Sequence, residues 1–233
     1  MKASSYWIVL ILLLIVSAKS ANSQDSNSKW EILFDGSGTE KWRSKVGDDF
    51  PDKGWKIENG LLFRDSKGGG DIVTRKKYGN FELAFEFMLT KEANSGIKYF
   101  VDTVVNQETG RVMINGPEYQ IIDDYSNEHV KDDPHGVSST GALYLFYAPE
   151  NKTLNPPGEW NSGKIVSYNG KVEHWLNDLK VVSYERGSND FAERKSTTKF
   201  KNDIGYGIKP TGHIMLTDHN DKVYFKNIKI RKL

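Results

Sequence analysis

From Phe81 to Leu89 the chain alternates without a break: Phe81, Leu83, Phe85, Phe87 and Leu89 are apolar, and Glu82, Ala84, Glu86 and Met88 fall between them. Side chains on a strand point to opposite faces in turn, so this stretch reads as a strand with one face in a core and one toward water. Asn59-Gly60 separates Trp55-Lys56-Ile57 from Leu61-Leu62-Phe63, and Asn169-Gly170 separates Ile165-Val166-Ser167-Tyr168 from Val172-Glu173-His174-Trp175. Asn-Gly between such runs is the strongest short hairpin signal, because both turn positions need positive φ. A third turn at Asn177-Asp178 returns the chain into Leu179 to Tyr184, which makes a meander of at least three strands.

Further strands are expected at Gly70 to Arg75, Gly96 to Asp102, Gly116 to Asp123, Gly141 to Tyr147, Gly212 to Asp218 and Lys222 to Ile230. Helical periodicity is almost absent, and no strand-helix alternation appears. The expected fold is therefore all-β, a two-sheet antiparallel β-sandwich or jelly roll, as one domain over residues 30–233. Three stretches read as long loops: Thr103 to Asn115, Asp124 to Thr140, and Ala148 to Ser162 with Pro156-Pro157-Gly158. Loops of that length in a compact domain are uncommon unless they carry function. The charged segment Arg186 to Lys209 has room for one irregular or helical turn.

Residues 1–23 read as a secretory signal. Lys2 precedes an unbroken apolar run of nine from Ile8 to Val16, and small residues follow through Ser23. A bilayer span takes about 20 residues, so cleavage is favoured over anchoring, and residues 24–29 are left as a short polar spacer. No Cys is present, which closes the route to a lipid anchor and leaves stability to the core rather than to disulfides. With residues 1–23 removed, Lys2 and Lys19 go with them and the formal net charge of +1 becomes −1. A balance this even, with no basic block, argues against nucleic acid as partner. The expected location is the periplasm or the medium, with no membrane anchor after cleavage and the oligomeric state left open.

Glu118, Gln120 and Ile122 share one face of their strand, and Tyr119, Ile121 and Asp123 the other. A carboxylate beside a carboxamide on a sheet face is a hydrogen-bonding platform of the kind sugars meet, and 6 Trp, 11 Tyr and 11 Phe suit both a β core and stacking on sugar rings. Asn94-Ser95-Gly96-Ile97 reads either as a turn between strands or as a ligand-facing amide, with Lys98 as a cation on the same face. His219 ends the strand from His213, beside Asp218, and an imidazole can take or give a proton in catalysis. Trp160 follows the Pro-Pro-Gly loop and serves either as a stacking plate or as a plug at the sandwich edge. His129, Asp132, Asp133 and His135 form a polar cluster in the Asp124 to Thr140 loop. Its spacing fits no regular metal loop, so it reads first as a solvated loop; no cofactor is expected, and calcium or another divalent ion stays open. The chain has no Glu-x-Asp-x-x-Glu, Gly-x-Ser-x-Gly or His-Glu-x-x-His motif and no phosphate-cradling glycine loop, so ordinary glucanase, serine, zinc and nucleotide chemistry lack their signatures.

In order along the chain, Phe34-Asp35-Gly36, Trp42, Trp55-Lys56-Ile57-Glu58-Asn59-Gly60-Leu61-Leu62, Tyr78-Gly79-Asn80-Phe81-Glu82-Leu83, Asn94-Ser95-Gly96-Ile97 and Glu118-Tyr119-Gln120-Ile121-Ile122-Asp123 carry a resemblance. It continues through Gly141-Ala142-Leu143-Tyr144, Gly158-Glu159-Trp160-Asn161, Trp175-Leu176-Asn177 and Phe225-Lys226-Asn227-Ile228-Lys229-Ile230. From Trp30 to Leu233 the chain resembles the 3-keto-disaccharide hydrolase domain family. The resemblance implies a concanavalin A-like lectin/glucanase sandwich acting on oxidised di- or oligosaccharides or glycosides. It implies proton transfer by Glu118 and His219, with Asn94, Lys98 and Gln120 on hydroxyls or a developing oxyanion, Asp123 and Asp218 orienting neighbours, and Trp160 stacking on a ring. Two positions depart from the family pattern: Leu216-Thr217-Asp218-His219 stands where Leu-Gln-x-His is usual, and Lys98 where Arg is frequent. The alternative from a different class is a non-catalytic carbohydrate-binding module on the same fold.

In a two-membrane bacterium the protein is expected to be recovered from the periplasm with Gln24 as its first residue. N-terminal sequencing of that fraction checks this, and a periplasmic chain still starting at Met1 would refute the leader.

Overall fold

The computed structural model describes residues 28–65 and 67–233; the expected leader and residues 24–27 of the spacer lie outside them. Among the described residues the strands, in chain order, are β1 (Glu31–Phe34), β2 (Trp42–Ser44), β3 (Trp55–Glu58), β4 (Leu61–Arg64), β5 (Ile72–Thr74), β6 (Phe81–Leu89), β7 (Asn94–Asn106), β8 (Val112–Asn115) and β9 (Glu118–Ile122). The short helix α1 (Glu128–Lys131) follows, then β10 (Trp160–Tyr168), β11 (Lys171–Leu176), β12 (Leu179–Glu185), helix α2 (Asn189–Ser196), β13 (Asp203–Ile204), β14 (His213–Leu216) and β15 (Val223–Lys232).

The strands form two sheets in which the recorded pairings are antiparallel, as the alternating pattern requires. The eight-stranded sheet runs β12-β11-β10-β6-β15-β4-β3, with β1 also on β15; the seven-stranded sheet runs β13-β7-β14-β5-β2, with β8 and β9 on β7. The protein is thus the two-sheet sandwich expected from the sequence. Phe81, Leu83, Phe85, Phe87 and Leu89 are all at most 2% exposed and face the opposing sheet. The three hairpin turns form as read: Asn59 and Gly60, Asn169 and Gly170, and Asn177 and Asp178 all have positive φ, the geometry that matches strand twist.

Three expectations are corrected. Thr103 to Asn115 is not a loop, because β7 runs on to Asn106 and pairs with β8 as a hairpin. Gly141 to Tyr147 is not a strand. It lies along the free edge of β9, where Gly141 N donates to Gln120 O and Tyr144 N to Glu118 O, but it folds back as Leu143 N bonds Tyr147 O and Leu145 takes φ 68°. The fold-back inserts Phe146 into a stack with Phe191, Phe200 and Tyr206, and that burial outweighs a continued ladder. The segment from Arg186 holds a full helix, α2, capped by Ser188 Oγ accepting from Phe191 N.

A bulge in β7 resets which residues face the core. Phe100 has φ 51°, and the pairing with β14 shifts register between His213 and Met215. Ile97 and Tyr99 face inward before it and Phe100 and Val104 after it, while Val101 joins Val73 and Met215 in a small cluster of its own.

A polar chain crosses the core. Gly141 O can only accept, so His174 Nδ1–H donates to it (3.0 Å) and Nε2 must accept from Tyr99 OH (2.7 Å); Tyr184 OH then donates to Tyr99 (2.8 Å). Burial lowers the His174 pKa to about 4, against weaker opposition from the Gly141 and Ala142 backbone carbonyls. Burial also lowers that of His213. A folded pKa below the unfolded value of about 6.5 means that the unfolded chain binds the extra proton, so stability falls as pH drops below that value. Urea unfolding between pH 6.5 and 5 is expected to lose up to about 1.4 kcal/mol per pH unit from His174. His174→Gln, less stable at pH 7, is expected to show a shallower slope; an unchanged slope would remove His174 as its source.

Candidate functional site

The site is built on two neighbouring strands. β9 lies beside the first half of β7, with Glu118 opposite Lys98, Gln120 opposite Gly96 and Ile122 opposite Asn94. Tyr119 and Ile121 are fully buried between the sheets, so alternation sends Glu118 and Gln120 out through the other face of the seven-stranded sheet. There Glu118, Gln120, Asn94, Lys98 and His219 line one cavity of about 480 Å³. Five of the eight side chains singled out from the sequence are therefore brought together.

Glu118 forms the floor and is only 4% exposed. Lys98 Nζ lies 3.6 Å from Oε2, and Thr217 Oγ1 lies 3.4 Å from Oε1 while also reaching Gly96 O. Oε1 rests against Gly96, where an added Cβ would lie 2.2 Å from it. The Asn94-Ser95-Gly96-Ile97 segment is therefore strand, and its glycine clears the space the carboxylate occupies. Lys98 Nζ also donates to Asn115 Oδ1 at 3.0 Å, which ties β8 to the same group. The carboxamide of Gln120 has no hydrogen-bond partner among the described residues, and Asn94 Oδ1 is buried without one. The unpaired, buried Asn94 carbonyl carries a free-energy cost that a ligand hydroxyl relieves.

The rest of the cavity wall comes from places the sequence reading marked only as segments. The β7-β8 hairpin contributes Arg111, Met113 and Asn115, and the stretch after α2 contributes Lys199, Phe200 and Asp203. Tyr144, on the fold-back beside β9, faces Lys199, whose Nζ lies 4.7 Å from its ring. Thr217, the departure noted in Leu216-Thr217-Asp218-His219, is the residue that touches Glu118. These groups arrive from several separate parts of the chain, so no single segment of the sequence announces the wall they form.

The other three singled-out residues lie outside this cavity. Asp218 is enclosed: its carboxylate is 2.5 Å from Arg64 Nε and accepts from Gly70 N and Asn220 N. It thereby ties the turn after His219, through Asn220 N, to the segment at Gly70. Asp123 accepts from Glu92 N, Tyr125 N and Ser126 Oγ; burial works against its charge, but these hydrogen bonds keep its pKa below the usual carboxylate value. Trp160 shares the outer face of β10 with Ser162 and Lys164, on the eight-stranded sheet, and Lys226 Nζ covers its ring at 3.9 Å. His129 lines a neighbouring cavity, whereas Asp133 caps its own loop by accepting from His135 N and Ser138 N. Among the described residues no group of three or more His, Cys, Asp or Glu side chains is placed to hold a metal ion.

A groove of about 420 Å³ on the outer face of the eight-stranded sheet is lined by Trp175, Glu86, Lys164 and Asn227. There Lys164 covers Trp175, Lys226 pairs with Glu86 and Asn227 bonds Glu86. Those groups satisfy one another, whereas the amides beside Glu118 do not.

Comparison with known proteins matches residues 29–231 to the 3-keto-alpha-glucoside-1,2-lyase-like domain. A protein of Bacteroides thetaiotaomicron named 3-keto-disaccharide hydrolase is 31% identical over 225 residues, covering 86% of this chain and 77% of the relative. Two crystal structures from Parabacteroides distasonis, each described as a candidate glycosyl hydrolase, also superpose. One is 38% identical with a TM-score of 0.75, covering 88% of this chain and 94% of its own; the other is 26% identical with a TM-score of 0.63, covering 88% and 100%.

Gly96→Ala is expected to push the Glu118 carboxylate off its seat while costing about 1 to 3 kcal/mol of stability, the range for overpacking. A crystal structure of the variant checks the displacement; a carboxylate still resting on β7 would show that the glycine is not what makes room for it.

Proposed function

The chain belongs to the 3-keto-alpha-glucoside-1,2-lyase-like family, and on that premise we propose that it cleaves glycosides whose sugar carries a ketone at carbon 3. Family membership and the glycosyl hydrolase-like neighbours make it a carbohydrate-active enzyme. The ketone acidifies the hydrogen on carbon 2. A base removes that proton, the electron pair forms the bond between carbons 1 and 2, and the glycosidic bond at carbon 1 breaks. The leaving oxygen takes a proton from an acid, and water then adds across the enone to give the free keto sugar and the released alcohol.

Glu118 suits the base, since a carboxylate at the floor of a cavity is fixed in position and shielded from bulk water. Its seat between Gly96, Thr217 and Lys98 is the single observation that carries the reading. His219, whose imidazole has no hydrogen-bond partner among the described residues, suits the acid that protonates the leaving group. Lys98 and the free Gln120 amide are the donors for the negative charge that gathers on the ketone oxygen. Asn94 offers its unpaired amide to a ring hydroxyl. A sugar-binding module would instead be expected to offer open aromatic faces, and in this cavity Lys199 already sits over Tyr144 and Phe200. The expected leader extends the proposal to place: the reaction runs outside the cytoplasm, on sugars already oxidised by a separate dehydrogenase-class activity.

Release of a chromophore from a 3-keto-glucoside, beside the unoxidised glucoside, tests this. The wild type is expected to release it from the keto compound alone and, in heavy water, to leave deuterium at carbon 2 of the product. Glu118→Gln is expected to lose about a hundredfold or more in kcat/KM. Full turnover in that variant would remove Glu118 from the reaction, and sugar binding without release from either compound would make the protein a binding module.

A further inference from the structure

Of the seven arginines in the chain, Arg111 is the one whose guanidinium the fold does not use. Among the described residues, Arg43, Arg75 and Arg186 donate to backbone carbonyls, and Arg64, Arg194 and Arg231 pair with Asp218, Asp190 and Glu82. Arg111 bonds only through its backbone, stands exposed at the turn between β7 and β8, and lines the cavity over Glu118. Lys199 reaches the same cavity from the stretch after α2; its Nζ lies 3.4 Å from Tyr144 OH and is paired with no carboxylate among the described residues. We propose that Arg111 and Lys199 together bind a carboxylate carried by the sugar, so that the preferred substrate is a uronate-type glycoside rather than a neutral one. The inference rests on the reading of this cavity as the sugar site.

The charge balance of the walls carries it. Lys98, the third cation of the lining, is taken up by Glu118 at 3.6 Å and by Asn115. Asp203, the second carboxylate, is 3% exposed, accepts from Asn106 Nδ2 at 2.8 Å, and is ion-paired with neither Arg111 nor Lys199. Three cations thus face two carboxylates in the lining, an excess of one positive charge. The segment from residue 195 to 209 adds Lys195, Lys201 and Lys209 with no carboxylate besides Asp203, so the field at that wall is positive.

The class of ligand follows from the donors. A guanidinium is a planar fork whose paired N–H groups match the two oxygens of a carboxylate, and an ammonium beside it adds a further donor. A neutral ring gains no charge pairing from either. Both cations are exposed whereas Glu118 is buried, so a carboxylate held between them stays at the mouth of the cavity, where it keeps part of its hydration and is set apart from the charge on the floor.

Binding is measured in the Glu118→Gln background, from which the proposed base is absent, with two pairs of probes. Methyl 3-keto-glucoside against methyl 3-keto-glucuronide tests a carboxylate on the keto ring, and 3-keto-glucosyl-glucose against 3-keto-glucosyl-glucuronic acid tests one on the other ring. In at least one pair the anionic probe is expected to bind about tenfold tighter at low salt, and the preference to shrink at about 0.5 M salt. Arg111→Gln alone, which removes no bond of the fold, is expected to lose most of that preference, and Arg111→Gln with Lys199→Gln to bring it close to one at an unchanged melting temperature. Equal affinity within both pairs, tighter binding of the neutral probes, or a preference that survives the double variant overturns the assignment. Chromophore release by the wild type from a neutral 3-keto-glucoside tests the elimination reading separately: release without an anion preference refutes this inference alone, and an anion preference without release refutes the elimination alone.

Discussion

Tyr119 is the side chain on which the site depends. Its ring packs edge-on against Phe85 at 5.4 Å and beside His174 at 4.8 Å, and its hydroxyl donates to Trp175 O across the sandwich. These contacts fix β9 to the eight-stranded sheet and exclude any other register. A slip of one residue would put Glu118 in the core and Tyr119 in the cavity, at the cost of an unpaired buried carboxylate. The placement of Glu118 is therefore held by hydrophobic packing on the opposite side of the same strand. The polar chain through His174, Tyr99 and Tyr184 lies against that ring and makes the packing directional as well as tight.

A second layer of support comes from carboxylates that never enter the cavity. Asp218 and Asp123 each sit at a strand end and absorb the backbone N–H groups that a departing chain leaves unpaired. Asp218 does this with Arg64, itself 4% exposed, so the turn carrying His219 is anchored by a buried ion pair to the neighbouring sheet. Taking charge out of water is costly, and it is tolerated here because Asp218 is met by both a guanidinium and backbone donors. The outcome is a rim residue, His219, that is exposed itself but carried on a turn tied down by these bonds, as the proposed proton-transfer role requires.

The two outer faces of the sandwich differ in how far their polar groups are paired. On the eight-stranded sheet, indole rings and charges pair off: Lys164 on Trp175, Lys226 on Trp160, Arg231 on Glu82. Little is left to bind. On the seven-stranded sheet Asn94 Oδ1 is buried without a partner among the described residues, beside Gln120 and a carboxylate, and the hairpin of β7 and β8 with the stretch after α2 raises walls around them. Binding sites are regions where the fold leaves its polar groups unsatisfied, and this face is such a region.

Much of this was written in local pattern. Alternation from Phe81 to Leu89 and the Asn-Gly turns determined an antiparallel sandwich, because strand periodicity and positive-φ turns act over a few residues and need no distant partner. Alternation likewise put Glu118 with Gln120, and Asn94 with Lys98, on common faces. Only the tertiary structure decided that those two faces adjoin, that Thr217 meets Glu118, and that Trp160 faces away on the other sheet. Pairing of β7 with β14 joins residues more than a hundred positions apart, such as Lys98 and Met215, and its pairing with β9 skips the whole β7-β8 hairpin, so local sequence does not encode which strands become neighbours. The same holds for the bulge at Phe100 and the fold-back at Gly141 to Tyr147, where burial of Phe100 and Phe146 overrode the simple alternation the residues display. Sequence determined which side chains share a strand face; packing between distant strands decided which faces meet to form a site.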